Sequence, residues 1–143
     1  MRQKGYQRAL VEVGISEDKS LIAQADSFSQ EDSLCKMREI YNSAAKFTAI
    51  FAHSDLMAIT AMEASLERGF KIPEDISVMG FDDTYASLTF PKLSTLRMPM
   101  YDVGVRAAQI LLKRISSSSS KRRPIRDNII PEFVERESTR NLV

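Results

Sequence analysis

Short β-rich apolar runs alternate with helix-patterned segments along this chain, and this alternation limits the possible folds more than any other feature. Residues 47–52, 76–81 and 93–96 are too short for helices and read as strands. Helical spacing of apolar residues separates or follows these runs, as over residues 100–115. Strands joined by helical crossovers pair in parallel. The sequence therefore predicts the α/β class, with a doubly wound, mostly parallel sheet flanked by helices.

Capping residues and turn signals mark the other predicted elements. A helix is expected over residues 5–13 and ends at Gly14, and Ser29 is the expected cap of a second helix. Ser54 or Asp55 is expected to cap a third helix that ends at Gly69. Two further segments complete the expected sheet: residues 21–23, a brief apolar run, are read as a strand, and residues 129–134 as an edge strand. The strand at residues 47–52 is read as buried on both faces.

Composition excludes several classes of protein. The 143 residues make about one domain, and 20 Lys and Arg against 19 Asp and Glu give a net charge of +1. With Cys35 and His53 the only residues of their kinds, an internal disulfide and a Cys/His zinc site are excluded. Cys35 is expected in the core, and a cytoplasmic setting fits best. No window has the length and apolarity of a membrane span.

Topology locates a candidate ligand site. In a parallel sheet, ligands bind beyond the carboxyl ends of the strands. Residues 26–28, 53–55, 82–83 and 97–98 follow the predicted strands and are expected to meet in one crevice. A carboxylate beside an aromatic ring suits a ligand with several hydroxyl groups, and Asp82 or Asp83 would supply it. The alternative is that both aspartates cap a turn.

Signals for catalysis are weak. Because neighbouring side chains on a strand point apart, Asp82 and Asp83 are poorly placed to cooperate as acid and base. His53, Ser54 and Asp55 are adjacent in a turn and cannot align as a triad, and both common phosphate-binding loops are missing. We expect no catalytic residue, no metal ligand and no cofactor. A basic cluster suits either a polyanion or a solvated loop: Lys113, Arg114, Lys121, Arg122, Arg123 and Arg126.

Three motifs resemble the effector-binding core of the lactose and galactose repressor (LacI/GalR) family. They are SDLMAITAM at residues 54–62, IPEDISVMGFDD at 72–83 and LSTL at 93–96. The spacing of Arg2 and Gly5 and the closing VEREST at 134–139 also match. The resemblance covers nearly the whole chain in the right order, and residues 76–83 are its most diagnostic part.

The resemblance implies a partial periplasmic-binding-protein-like lobe. Residues 1–96 would form the second lobe of the effector-binding core, residues 97–126 a crossover helix and loop belonging to the first lobe, and residues 127–143 a return strand and tail in the second lobe. The helix-turn-helix and hinge of such repressors are absent from these residues. Operator DNA would therefore be bound only through a segment that this chain lacks, and no membrane partner is expected.

Functional residues carry over by position. Arg2 would grip a sugar-like or nucleobase-like effector, Phe28 would stack on it, Asp82 would accept its hydroxyls, and Met98 would line the edge of the site. Ser54 stands where the family commonly has an effector-contacting Asn. An expected homodimer would use the segment after Asp83; its candidate residues, which alternatively pack under their own loop, are Tyr85, Leu88, Thr89 and Phe90.

Two rival functions remain. A periplasmic sugar-binding protein of the same fold would need an export signal, which this sequence does not show. An α/β enzyme acting on a sugar or nucleotide would need a placed nucleophile, a metal cluster or a phosphate loop. The sequence therefore favours the effector-binding part of a bacterial transcriptional repressor.

Overall fold

The computed structural model describes residues 2–25, 29–43, 46–116, 125 and 127–141. The helices in this part of the chain are α1 (Arg2–Glu12), α2 (Gln30–Asn42), α3 (Asp55–Glu67) and α4 (Met100–Ile115). The strands are β1 (Ala49–Phe51), β2 (Ser77–Asp82), β3 (Ser94–Arg97) and β4 (Glu132–Val134). Single 3-10 turns span Lys19–Leu21 and Ala86–Leu88.

The strands form one mixed sheet in the order β1-β2-β3-β4. β1, β2 and β3 are parallel, with Ile50 opposite Val78 and Gly80 opposite Thr95, whereas β4 runs antiparallel to β3. The predicted α/β class with a mostly parallel sheet is confirmed. Because the three parallel strands end at the same edge, the residues that follow each of them are brought together there.

The main core lies between the sheet and α3, and α2 packs on α3. Ser54 caps α3 by accepting a hydrogen bond from the Met57 backbone N–H at 3.3 Å, and Gly69 takes a positive φ of 80° after its end. Ser29 caps α2 in the same way. The central buried side chains are Ala58, Met62, Ile76, Val78 and Leu93.

Three expectations of burial or structure are wrong. Residues 21–23 form no strand, because no strand of the described sheet lies beside β1 to pair with this run. Leu21 instead ends a 3-10 turn. For the same reason β1 is an edge strand with Ala49 and Phe51 exposed, not a strand buried on both faces. Cys35 is exposed because α2 turns Leu34 and Met37 toward α3 instead.

α4 presents an uncovered apolar surface. It spans the predicted residues, yet none of its side chains is buried in the described structure. Val105, Leu111, Leu112 and Ile115 are all exposed. The predicted helix is confirmed, but its apolar side is not buried in the described structure.

Candidate functional site

The carboxyl-end edge of the sheet gathers three of the four predicted segments. His53 follows β1, Asp82 ends β2, and Met98 follows β3. Residues 26–28, including the predicted stacking residue Phe28, lie outside the described residues. The candidate site is therefore built from α1 and the three parallel strand ends.

Arg2 lies at the centre of this site. Its Nη1 donates to the His53 carbonyl at 2.7 Å, and its Nη2 lies 3.3 Å from Oδ1 of Asp82. Its guanidinium carbon is 3.7 Å from the centre of the Phe81 ring, a cation–π contact. These contacts hold a planar set of donors beside a carboxylate, an arrangement that suits a ligand with hydroxyl, carbonyl or ring-nitrogen acceptors.

Asp82 is a partly exposed carboxylate, with 38% of its side chain accessible. Burial raises its pKa above the ordinary value, the neighbouring Arg2 guanidinium opposes this, and the negative charge of Asp55 adds to the increase. Among the described residues, its side chain makes one contact with a donor, the long one with Arg2 at 3.3 Å. It therefore has lone pairs available for the hydroxyl groups of a ligand.

His53 adds a second polar group at the same edge. Partial burial, and next the positive charge of Arg2, lower its pKa below the ordinary value. The imidazole is therefore neutral at pH 7 and offers one donor and one acceptor. His53 was expected at this edge because it follows a predicted strand.

Asp83 faces away from this cluster and is fully engaged by protein groups. Its Oδ2 accepts from Nε of Arg97 and its Oδ1 from Nη2 of Arg136, both at 2.6 Å. Burial, the largest single influence, acts to raise its pKa, but these two hydrogen bonds and the positive charges of Arg97 and Arg136 together hold the pKa below the ordinary value. The two aspartates have separate partners, which agrees with the expectation that they do not form an acid and base pair.

The other predicted residues are placed less directly. Ser54 uses its hydroxyl as the cap of α3, and Met98 is half-buried just after β3. Sequence reasoning missed the structural roles of Asp55, Arg97 and Arg136. The positive φ values of Asp82 (105°) and Asp83 (57°) also had no sequence signal beyond the tolerance of aspartate for such turns.

A second surface surrounds the predicted dimer residues. Tyr85, Leu88 and Phe90 are 50%, 79% and 92% exposed, so they are not packed under their own loop. Thr89 is half-buried and donates to the carbonyls of Ala86 and Pro91. With side chains of α3 these residues line an open, mainly apolar groove of about 630 Å³; the α3 contributors are Leu56, Ile59, Met62, Glu63, Leu66 and Glu67.

The described part of the chain has neither a membrane-spanning helix nor a cluster of metal-ligating side chains. No helix there combines the length and apolarity needed to cross a membrane. Among the same residues, no three His, Cys, Asp or Glu side chains are grouped so that they could hold a metal ion.

Comparison with known proteins gives consistent matches. Residues 1–139 match the periplasmic binding protein-like domain. The chain is 36% identical over 143 residues to the HTH-type transcriptional repressor PurR of Histophilus somni (strain 129Pt), and 36% identical over 144 residues to the probable HTH-type transcriptional repressor ExuR of Bacillus subtilis (strain 168). Each alignment covers 99% of this chain and 42% of the relative, so the chain spans about two fifths of their length.

A solved structure supports the same assignment. The transcriptional regulator CelR in complex with cellobiose matches with a TM-score of 0.86 and 32% identity, over 96% of this chain and 41% of that one. The resemblance to the LacI/GalR family is thereby confirmed in both sequence and fold. The chain belongs to the periplasmic binding protein-like domain family, in the form found in LacI-family transcriptional regulators.

Proposed function

We propose that this chain is the effector-binding and dimerisation part of a bacterial transcriptional repressor that responds to a small sugar-like or nucleobase-like ligand. The observation that carries this proposal is the cluster of Arg2, Asp82 and Phe81 at the carboxyl ends of the parallel strands. It joins fixed donors, an available acceptor and an aromatic face, as ligand sites of this kind require. CelR, which shares the fold, was solved with a sugar bound.

The proposed action is a conformational switch and not a reaction. The relatives are transcriptional repressors, and we propose that this protein likewise is not an enzyme and uses no cofactor. The effector would bind between two lobes and bias their relative orientation, and DNA-binding segments outside these residues would respond at the operator. Such a protein would act in the cytoplasm.

The division of the chain between two lobes is part of this proposal. Residues 1–96 and 127–143 would belong to one lobe, and residues 97–126 to the other. The exposed apolar side of α4 supports this, because a helix with a continuous apolar stripe and no buried side chain needs a further layer to cover it. The core around α3 is complete without it.

The effector site is tested by Asp82→Asn in the complete gene product. A panel of sugars and nucleobases, cellobiose among them, is first screened by thermal shift, and affinity for the strongest binder is then measured by calorimetry. Loss of the charged acceptor is expected to weaken binding by roughly 10- to 150-fold, about 1.5–3 kcal/mol, while the fold stays intact. Binding by the wild type should also weaken as the pH falls through the raised pKa of Asp82, because protonation removes the same acceptor.

The matched control is Asp75→Asn. Asp75 is an exposed aspartate in the turn before β2, at the opposite end of the strand, and accepts a hydrogen bond from the Lys71 backbone N–H at 2.7 Å. It should leave affinity unchanged. Equal affinity in wild type and Asp82→Asn would remove Asp82 from the site, and a panel without any binder would contradict the proposed ligand class.

The proposed homodimer would use the groove between α3 and the segment after Asp83. Isolated monomers seldom expose so many large apolar side chains together. The acidic residues that line this groove, Glu63 and Glu67, are compatible with self-association because each has a partner. Glu67 pairs with Arg38 at 2.9 Å, and Glu63 accepts from Gln30 at 3.2 Å. A two-fold interface would bring this patch against itself.

Leu88→Glu tests this surface. A two-fold interface would bury two new carboxylates, one from each protomer, without partners. The variant is therefore expected to sediment as a monomer at protein concentrations where the wild type is a dimer. Analytical ultracentrifugation of the complete gene product gives the result. Val13→Glu, at a position that is 69% exposed beyond α1, is the control and should remain dimeric. A Leu88→Glu protein that is still a dimer would place the interface elsewhere.

A further inference from the structure

A line of alternating charges connects Asp83, the neighbour of the site carboxylate Asp82, to the two points where the chain leaves and re-enters the sheet. Arg136 binds Asp83 at 2.6 Å, Arg97 binds Asp83 at 2.6 Å, and Nη1 of Arg97 lies 3.3 Å from Oε2 of Glu132. Arg97 ends β3 directly before the segment that leads into α4, and Glu132 begins the returning strand β4. Asp83 directly follows Asp82.

Asp83 is held more tightly than an ordinary surface ion pair. Only 9% of its side chain is accessible, and each carboxylate oxygen has its own guanidinium donor. Arg136, whose side chain is 15% accessible, also donates from Nη1 to the Leu93 carbonyl at 2.8 Å. Two charge-assisted hydrogen bonds from opposite sides fix both the position and the plane of the carboxylate.

The backbone at this place needs such an anchor. Asp82 and Asp83 both have φ in the left-handed region, at 105° and 57°. Aspartate tolerates this conformation better than most residues, but two such residues in succession store backbone strain that the surrounding structure must hold. The side chain of Asp82 does not supply that hold, because its contact with Arg2 is long at 3.3 Å and partly exposed.

We propose that Asp83, clamped between Arg97 and Arg136, is the positioning residue for Asp82. The clamp holds the left-handed turn, and the turn keeps the Asp82 carboxylate half-buried beside Arg2. The proposal depends on the proposed function only in taking Asp82 as the effector acceptor. Its consequence is that the geometry of the site depends on the two strand ends at which the chain crosses, through Arg97 and Glu132.

Arg97→Gln tests the clamp without any effector. The complete gene product is labelled with ¹³C at aspartate carboxyls, and the Asp82 resonance is identified by its absence in Asp82→Asn. Release of the turn would move the carboxyl into water, so the pKa of Asp82 should fall toward the ordinary aspartate value. Removal of a nearby positive charge alone would raise that pKa. The sign of the shift therefore separates positioning from simple electrostatics.

Arg106→Gln is the control, because Arg106 is an equally exposed arginine and pairs with Asp127. It should leave the Asp82 pKa unchanged, with a melting temperature similar to that of Arg97→Gln. Arg136→Lys is the second variant: it keeps the charge but cannot reach both Asp83 and the Leu93 carbonyl, and the pKa of Asp82 should fall again. An Asp82 pKa that stays constant or rises in these variants overturns the proposal. That result is independent of the effector panel, which tests the proposed function by itself.

Discussion

Asp55→Ala is expected to lower the free energy of unfolding by about 3–5 kcal/mol, as removal of a buried charged acceptor does. Asp55 is 1% exposed in the first turn of α3. Its Oδ2 accepts from the backbone N–H groups of Thr84 at 2.7 Å and Tyr85 at 3.2 Å, and its Oδ1 accepts from the Thr95 hydroxyl at 2.6 Å. Alanine would leave these donors without their acceptor and open a cavity among them.

The surroundings of Asp55 show that little relaxation is available. A Cβ at Gly80 would lie 2.6 Å from Oδ1 of Asp55 and 2.8 Å from Cδ2 of Leu93, so β2 and α3 approach as closely as a glycine allows. A neighbouring side chain is therefore unable to move in and replace the lost hydrogen bonds without shifting the strand. The loop after Asp83 would lose its attachment to α3 at the same time.

Urea denaturation followed by circular dichroism measures the effect, with Asp75→Ala as the matched control. Asp75 is exposed and accepts a hydrogen bond from one backbone N–H, so its replacement should cost no more than about 1 kcal/mol. A similar small loss for Asp55→Ala would show that the loop after Asp83 is held by other contacts.

The positions of the helices could be predicted from the sequence because the signals that mark helix ends are local. Ser29 and Ser54 cap α2 and α3 as expected, and α4 begins and ends at the predicted residues. A capping hydroxyl bonds to a backbone group three residues away, so a single stretch of sequence holds the whole interaction. The same alternation predicted the parallel pairing of β1, β2 and β3.

The burial of side chains could not be predicted from the sequence in the same way. The run around β1 is apolar, yet Ala49 and Phe51 are exposed, and the stripe of α4 lies uncovered. The pattern of apolar residues indicates which side of a helix or strand would be buried. Whether that side is buried depends on which other element packs against it. Residues 21–23 show the same limit, since a strand requires a neighbour with which to pair.

The candidate site was located partly by topology and partly by the family resemblance. Topology places Asp82 at a strand end, but Arg2 is 80 positions away, and only the resemblance put it in the same site. The contact between the two side chains was not predicted. The contacts of Asp83 with Arg97 and Arg136 were not predicted, although residues 82–83 and 97–98 were expected at the same edge of the sheet. Arg97 and Arg136 are 14 and 53 positions from Asp83 along the chain, so no local sequence pattern joins them.

Ser138→Ala is expected to lower the free energy of unfolding by about 2–4 kcal/mol, from one buried donor and one buried acceptor left without partners. Ser138 is fully buried. Its hydroxyl donates to the Val78 carbonyl at 2.6 Å and accepts from the Ser94 backbone N–H at 2.8 Å, and its own carbonyl accepts from the Val78 N–H at 2.8 Å. It therefore joins β2 to β3 where the two strands begin.

Position separates this effect from ligand binding. Ser138 contacts the amino ends of the strands, whereas Arg2 and Asp82 lie at the carboxyl ends, so folded Ser138→Ala protein should keep wild-type affinity for the effector while its urea midpoint falls. Ser20→Ala, which removes an exposed hydroxyl bonded to Asp18 at 2.6 Å, should shift the midpoint by much less. An unchanged midpoint for Ser138→Ala would mean that water satisfies both groups, and that the tail is not a structural part of the sheet.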